Sequence, residues 1–276
     1  MELFIETLKA ILFGVVEGIT EWLPISSTGH MILLEEFVKL QVSENFWNLF
    51  LVVIQLGAIF AVILIYWKKI FPFNFNKEKG PVIKKDIFSL WFKILVACIP
   101  AAIIGILFDD ILEKYLYNSY VVSASLIIFG IGFIIIENHN KKQPRVNSLN
   151  SLTYKDALII GGFQLIAAIF PGTSRSGATI LGALMIGISR KVAAEFTFFL
   201  AIPVMFGASL LKVIKIGFSF MVQEYIILAV GMITAFIVSV FVIKFLMSYI
   251  KKHDFKAFGY YRIILGVMVL VYFMVK

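Results

Sequence analysis

Charge is scarce in this chain: Asp, Glu, Lys and Arg make up 15% of the 276 residues, against 61% hydrophobic. A soluble domain of this length has no core large enough to hide so much apolar surface, so a water-solvated globular fold is excluded and the bilayer is the expected solvent. Cysteine is nearly absent. The single one, Cys98, lies inside an apolar run, which excludes a disulfide framework and a cysteine-ligated metal and leaves core packing as its role. The N-terminus lacks the basic n-region and small-residue cleavage pattern of a signal peptide; it begins with Glu2 and Glu6 among apolar residues and is expected to stay in the mature protein. A basic face is missing too. The net charge of +8 comes from lysines and arginines spread over the short connections between apolar runs, which suits orientation in a membrane and not a nucleic-acid partner.

What the chain does have is apolar runs of about twenty residues, the length needed to cross a hydrocarbon core. Lipid offers no water to a strand's free edge, so these runs read as helices. Six stretches qualify: 46–67, 88–108, 118–136, 192–212, 224–246 and 258–275. Two further stretches, 7–39 and 156–188, are broken in the middle, at Pro24-Ile25-Ser26-Ser27-Thr28-Gly29-His30 and at Pro171-Gly172-Thr173-Ser174-Arg175-Ser176-Gly177. Each reads as two half-helices meeting at membrane depth. Lys68, Lys69, Lys77, Lys79, Lys84 and Lys85 follow the first span; Lys141, Lys142, Arg145 and Lys155 the third; Arg190 and Lys191 precede the fourth; and Lys251, Lys252 and Lys256 precede the sixth. These are expected on the cytoplasmic side, with Asp109, Asp110 and Glu113 in an opposite connection and both termini external, although Lys212 and Lys215 make the other external loop less tidy.

The two halves resemble each other. Gly14, Glu17, Pro24, Ser26 and Ser27 align with Gly161, Gln164, Pro171, Thr173 and Ser174 at one constant offset; Gly57-Ala58 aligns with Gly207-Ala208 and Pro100-Ala101 with Thr234-Ala235. Three full spans per half invert the second half relative to the first. The expected fold is an all-α polytopic membrane protein, one integral domain over 1–276. It has six transmembrane helices and two re-entrant helix hairpins in an inverted-topology repeat, approximately 1–140 and 150–276.

The chemistry-bearing residues gather at the two breaks. Glu17 and Glu21 are one helical turn apart, so their carboxylates share a face and repel. A divalent cation, an arginine or a shared proton would relieve that repulsion. Ser26, Ser27 and Thr28 offer hydroxyls where a new helix starts, and His30 follows within reach, whereas His139 and His253 fall in charged connections. Gly172, Thr173, Ser174, Arg175, Ser176 and Thr179 place hydroxyls, a glycine and a guanidinium together between apolar arms. Such a segment suits an anion, because small residues allow close backbone approach, a helix start offers N–H donors, and arginine grips two oxygens. The combined set suits phosphoryl transfer, with hard oxygen ligands that fit Mg2+ or Ca2+ better than zinc.

At these residues the chain resembles the BacA-type undecaprenyl-diphosphate phosphatases of bacteria, and the likeness runs its whole length. It rests on Glu17-Gly18-Ile19-Thr20-Glu21, the Pro24 to His30 turn and the Pro171 to Thr179 segment. The resemblance implies an enzyme of the bacterial plasma membrane that removes the terminal phosphate from undecaprenyl diphosphate for envelope synthesis and whose loss sensitises cells to bacitracin. It implies a divalent cation at Glu17 and Glu21, a site built from Glu17, Glu21, Ser27, His30, Ser174, Arg175 and Thr179, and an opening toward the outer face. Ser27 is the favoured nucleophile with His30 as partner; water activated by Glu21 and direct attack by His30 are the alternatives. The expected partners are the polyprenyl diphosphate substrate and membrane lipids, with a homodimer allowed and no nucleic acid. A secondary transporter or a lipid-carrier flippase is the rival reading, since broken helices and inverted repeats serve transport equally well.

Overall fold

A computed structural model describes residues 2–74, 82–140 and 143–276. Lys77, Lys79, Lys141 and Lys142, expected among the cytoplasmic charges, lie outside the described residues. Among the described residues ten α-helices follow in order: α1 (Glu2–Thr20), α2 (Ser27–Phe37), α3 (Glu44–Ile70), α4 (Lys85–Leu116), α5 (Ser119–His139), α6 (Tyr154–Ile169), α7 (Arg175–Met185), α8 (Arg190–Ile216), α9 (Val222–Tyr249) and α10 (Lys256–Val275). Among the described residues six helices are long and apolar enough to cross a membrane, α3, α4, α5, α8, α9 and α10. They coincide with the six stretches expected from the sequence.

Lipid accounts for what these helices leave uncovered. Ile99, Ile103 and Ile106 on α4, Ile128, Ile131 and Ile135 on α5, and Ile233, Ile237, Phe241 and Phe245 on α9 are all exposed at helical spacing. In water such stripes would drive aggregation; in a bilayer they are the solvated face.

Two expectations need correction. The first arm of the first broken stretch is longer than expected: α1 has 19 residues, about 28 Å of axis at 1.5 Å per residue, and it fails as a span by its charges rather than its length. The connection carrying Asp109, Asp110 and Glu113 is not a loop either. Helix α4 continues through it for 32 residues in all and reaches α5 after Tyr117 and Asn118, because Asp, Glu and Lys in that stretch are adequate helix formers and no proline or glycine stops them.

Packing follows a reciprocal plan. Helix α1 lies along α9 as α6 lies along α4; α3 packs on α9 as α8 packs on α4; α2 leans on α10 as α7 leans on α5; and α3 with α8 and α5 with α10 close the bundle. The aligned glycines explain how the arms come so close. A Cβ on Gly14 would stand 2.6 Å from the Gly231 carbonyl of α9, and one on Gly161 would stand 2.5 Å from the Ala97 carbonyl of α4. The later pair diverges: Gly57 presses on the Met232 carbonyl, whereas nothing lies near Gly207.

These contacts also fix depth. Ser239, just past the middle of α9, donates to the Gly18 carbonyl, and Gln164 donates to the Ala97 carbonyl near the middle of α4. Both arms therefore end near the middle of the bundle. At one end of the bundle Lys9 bonds the Lys39 carbonyl and Lys276 pairs with Glu36. At the other, Asn140 donates to the Leu184 carbonyl, Arg190 pairs with Glu137 at 2.5 Å, Lys69 with Glu195 at 2.8 Å, and Arg145 with Asp156 at 2.5 Å. The start of α1 and the end of α2 thus lie at the end that holds Lys276, and the start of α6 and the end of α7 at the lysine-rich end.

Candidate active site

Each arm stops before a proline. Helix α6 ends at Ile169, and Phe170 ahead of Pro171 is extended, as pre-proline residues prefer; α1 ends at Thr20 and gives way to a turn that carries Pro24. Each second arm starts on a serine cap. Ser26 accepts from Gly29 N–H at 3.3 Å and Ser174 from Gly177 N–H at 3.1 Å. Both caps are strained. With φ of 75° and 68°, Ser26 and Ser174 are the two non-glycine residues of positive φ among the described residues. The constant offset therefore breaks at the turns: the second has one more residue between proline and cap, so Ser174 stands where Ser26 does and Arg175 where Ser27 does. Ser27 and Arg175 are each the first residue of a helix.

They meet at one carboxylate. Arg175 Nη2 donates to Glu21 Oε1 at 2.7 Å, and the Ser27 hydroxyl donates to Glu21 Oε2 at 3.0 Å. Arg175 is further held by donation from Nη1 to the Thr197 carbonyl at 3.0 Å. The Ser176 hydroxyl donates to the Glu21 carbonyl at 3.0 Å, tying the two turns together through main chain. Thr179 donates to the Arg175 carbonyl at 2.9 Å and pairs with the Thr197 hydroxyl at 2.8 Å.

His30 faces elsewhere. Its Nδ1 bonds the Ser26 carbonyl at 2.7 Å, its Nε2 bonds the Tyr261 hydroxyl at 2.7 Å, and the two rings stack 5.6 Å apart. A carbonyl only accepts, so Nδ1 carries the proton, and in the neutral ring Nε2 accepts from tyrosine. The expected Ser27–His30 partnership is thus not formed, and Glu21 takes histidine's place beside the hydroxyl.

The structure sorts the remaining expected residues. Ser27, Thr28, His30, Ser174 and Arg175 are partly exposed and available to a ligand. Ser26, Thr173, Ser176 and Thr179 are buried, and the hydroxyls of Ser26, Ser176 and Thr179 are spent on caps, turn ties and the seat of Arg175. Gly172 has φ of 86°, and a Cβ there would stand 2.5 Å from the Val122 carbonyl, so glycine serves the approach of the turn to α5. Two residues of α10 were missed, Tyr261 on His30 and Arg262. Arg262 donates to the carbonyls of Pro24 at 3.2 Å, Gly172 at 3.1 Å and Thr173 at 2.7 Å, so it touches both turns.

Unpartnered buried polar atoms gather at the same two turns and their arms. Among the described residues, the buried side-chain atoms with no hydrogen bond are Glu17 Oε1, Trp22 Nε1, Gln164 Oε1, Thr173 Oγ1, Arg175 Nε and Arg262 Nε. Every one sits on a broken element or on the arginine that bonds both turns. Buried polar groups left open in this way are costly unless something else satisfies them. By contrast, a depression of about 280 Å³ at the lysine-rich end, lined by Lys69, Asp86, Lys191 and Glu195 among others, includes no turn residue.

Glu17 and Glu21 are the acids that could hold a metal. The Glu21 N–H donates to the Glu17 carbonyl at 3.0 Å, which stacks their side chains one turn apart, and Glu17 has an open oxygen. Among the described residues no cluster of three or more Asp, Glu, His or Cys side chains converges. Two carboxylates, a hydroxyl and oxygens brought by a phosphate ligand are the donor set that magnesium or calcium accepts.

Residues 10–268 match the family model described as bacitracin resistance protein BacA. The undecaprenyl-diphosphatase of Desulfitobacterium hafniense is 65% identical, over 98% of this chain and 96% of that protein. Undecaprenyl-diphosphatase 1 of Clostridium acetobutylicum is 64% identical over 98% of each chain, and an undecaprenyl-diphosphatase of Enterococcus faecalis is 61% identical over 97% of each.

Proposed function

The chain belongs to the BacA family, and from that premise we propose that it is an undecaprenyl-diphosphatase, a multi-pass membrane enzyme that hydrolyses the terminal phosphate of undecaprenyl diphosphate. The observation that carries this reading to particular residues is the chain Arg175–Glu21–Ser27, at 2.7 and 3.0 Å, which joins the two turns through one carboxylate. It couples an anion grip, a proton acceptor and a hydroxyl nucleophile, the parts that phosphoryl transfer needs. A transporter would have no use for a nucleophile held on a base.

The diphosphate lies across the first turns of α2 and α7. Arg175 and the N–H groups at these helix starts hold its anionic oxygens. The Ser27 hydroxyl attacks the terminal phosphorus while Glu21 takes its proton, and the bridging oxygen leaves with the lipid monophosphate. The leaving oxygen departs as the anionic oxygen of the lipid monophosphate and needs no proton; water then attacks the phosphorus on Ser27, Glu21 returns its proton to Ser27 Oγ, and the proton of the attacking water passes to the solvent. A divalent cation, Mg2+ or Ca2+, held by Glu17 and Glu21 would neutralise charge on the phosphate oxygens.

The reciprocal packing, and the outer ends of the two broken elements at opposite ends of the bundle, support an inverted-topology repeat with two re-entrant hairpins. The first hairpin and the Lys276 end lie away from the lysine-rich connections, which supports an opening toward the outer face of the plasma membrane. Purified protein supplied with undecaprenyl diphosphate and Mg2+ or Ca2+ is expected to release inorganic phosphate and to stop when EDTA is added. No phosphate release, together with proton-coupled solute uptake into proteoliposomes, would replace this reading with transport.

A further inference from the structure

Arg262 has no acid to pair with among the described residues. Its side chain is fully buried, and the donors that find partners all find main-chain carbonyls: Nη1 that of Pro24, and Nη2 those of Gly172, Thr173 and Ser125. Its Nε finds none. A buried guanidinium without a counter-charge is expensive in any interior, most of all at membrane depth. A neutral donor could cap one carbonyl at far lower cost.

Two features say what the arginine does that a neutral donor would not. First, its fork spans three elements, since Pro24 belongs to the first turn, Gly172 and Thr173 to the second, and Ser125 to α5. The carbonyls it grips stand just ahead of Ser26 and Ser174, the two strained caps that launch α2 and α7. Strain of that kind persists only where surrounding contacts over-determine it. Second, its charge is not cancelled locally. Arg175 is paired with Glu21, whereas Arg262 adds a free positive charge behind both helix starts, which are themselves positive ends.

We propose that Arg262 is a positioning residue for a ligand carrying two linked phosphates: it locks the two turns in register and supplies the background charge that draws the dianionic group between them. The inference deepens the diphosphatase reading and rests on it.

The test separates fork from charge. Arg262→Lys keeps the charge but cannot span both turns; Arg262→Gln removes the charge. Each is assayed for phosphate release from undecaprenyl diphosphate and for inhibition by methylene diphosphonate, alongside wild type. Arg262→Gln is expected to raise KM and the inhibition constant about tenfold. Arg262→Lys is expected to keep both within about threefold while kcat falls about a hundredfold from misplaced turns. KM and the inhibition constant do not depend on the folded fraction, so equal loss of kcat in both variants with both constants unchanged would make Arg262 merely structural and overturn the proposal. Failure of both variants to fold would do the same. Wild type that releases no phosphate would sink the diphosphatase reading itself; active wild type with an indifferent Arg262→Gln would sink this inference alone.

Discussion

The Glu21 carboxylate holds an arginine and a serine, so its loss should be felt in chemistry and in stability differently from the loss of its partners. Ser27→Ala removes the proposed nucleophile without unpairing a charge; its kcat is expected to fall by at least about a hundredfold with little change in melting temperature. Arg175→Ala leaves two adjacent carboxylates buried without the guanidinium, and in metal-free buffer is expected to destabilise the protein by about 3 kcal/mol in denaturant titration. Adding Glu21→Gln to Arg175→Ala should restore part of that stability while activity stays lost; a double variant no more stable than the single one would mean that the ion pair is not what Arg175 answers to. The sequence made Glu17, Glu21 and Arg175 legible, because a charge between apolar arms is too costly to stand at membrane depth without a partner or a ligand. It misled over His30. A spacing of three residues puts Ser27 and His30 near one face, but Nδ1 turns back onto the Ser26 carbonyl and the ring stacks on Tyr261. Arg262 was hidden for the opposite reason: it follows Lys251, Lys252 and Lys256 near a helix end, where an arginine reads as one more snorkelling cation.

At the scale of elements, the arms are placed by close helix contacts, and neighbouring glycines on α6 give a sharp contrast. Gly161→Ala drives a methyl to 2.5 Å from the Ala97 carbonyl, whereas nothing lies within 4 Å of a Cβ on Gly162. Thermal unfolding in detergent is expected to show Gly161→Ala destabilised by about 1–3 kcal/mol and Gly162→Ala close to wild type. Equal behaviour of the two would refute the placement of α6 on α4. The spans were readable because lipid enforces a run of about twenty apolar residues and internal hydrogen bonding. Helix ends were less so. Asp109, Asp110 and Glu113 read as a loop by polarity alone, yet polarity at a membrane edge does not stop a helix, and α4 runs through them. The length of α1 was missed likewise, since Glu6 and Lys9 spoil an apolar run without spoiling a helix; they pair with each other at 2.6 Å.

At the scale of the whole molecule, two broken elements bring their turns together at one carboxylate, with Arg175 and Ser27 both bonded to Glu21. The helices pack reciprocally, and the matched positions differ in chemistry: Gln164 stands opposite Glu17, and Arg175 opposite Ser27. One turn brings acid and hydroxyl, the other the cation. An opening toward the outer face predicts that sealed, right-side-out vesicles hydrolyse substrate presented from outside and are silenced by a chelator that cannot cross the bilayer; full activity under that treatment would place the site on the other face. The most direct test of the joint site is phosphate release from undecaprenyl diphosphate by purified wild type, Glu21→Gln and Arg175→Ala under identical conditions. Wild type should turn over while each variant loses about a hundredfold or more in kcat/KM; unchanged release in both variants would contradict a site made by the two turns together.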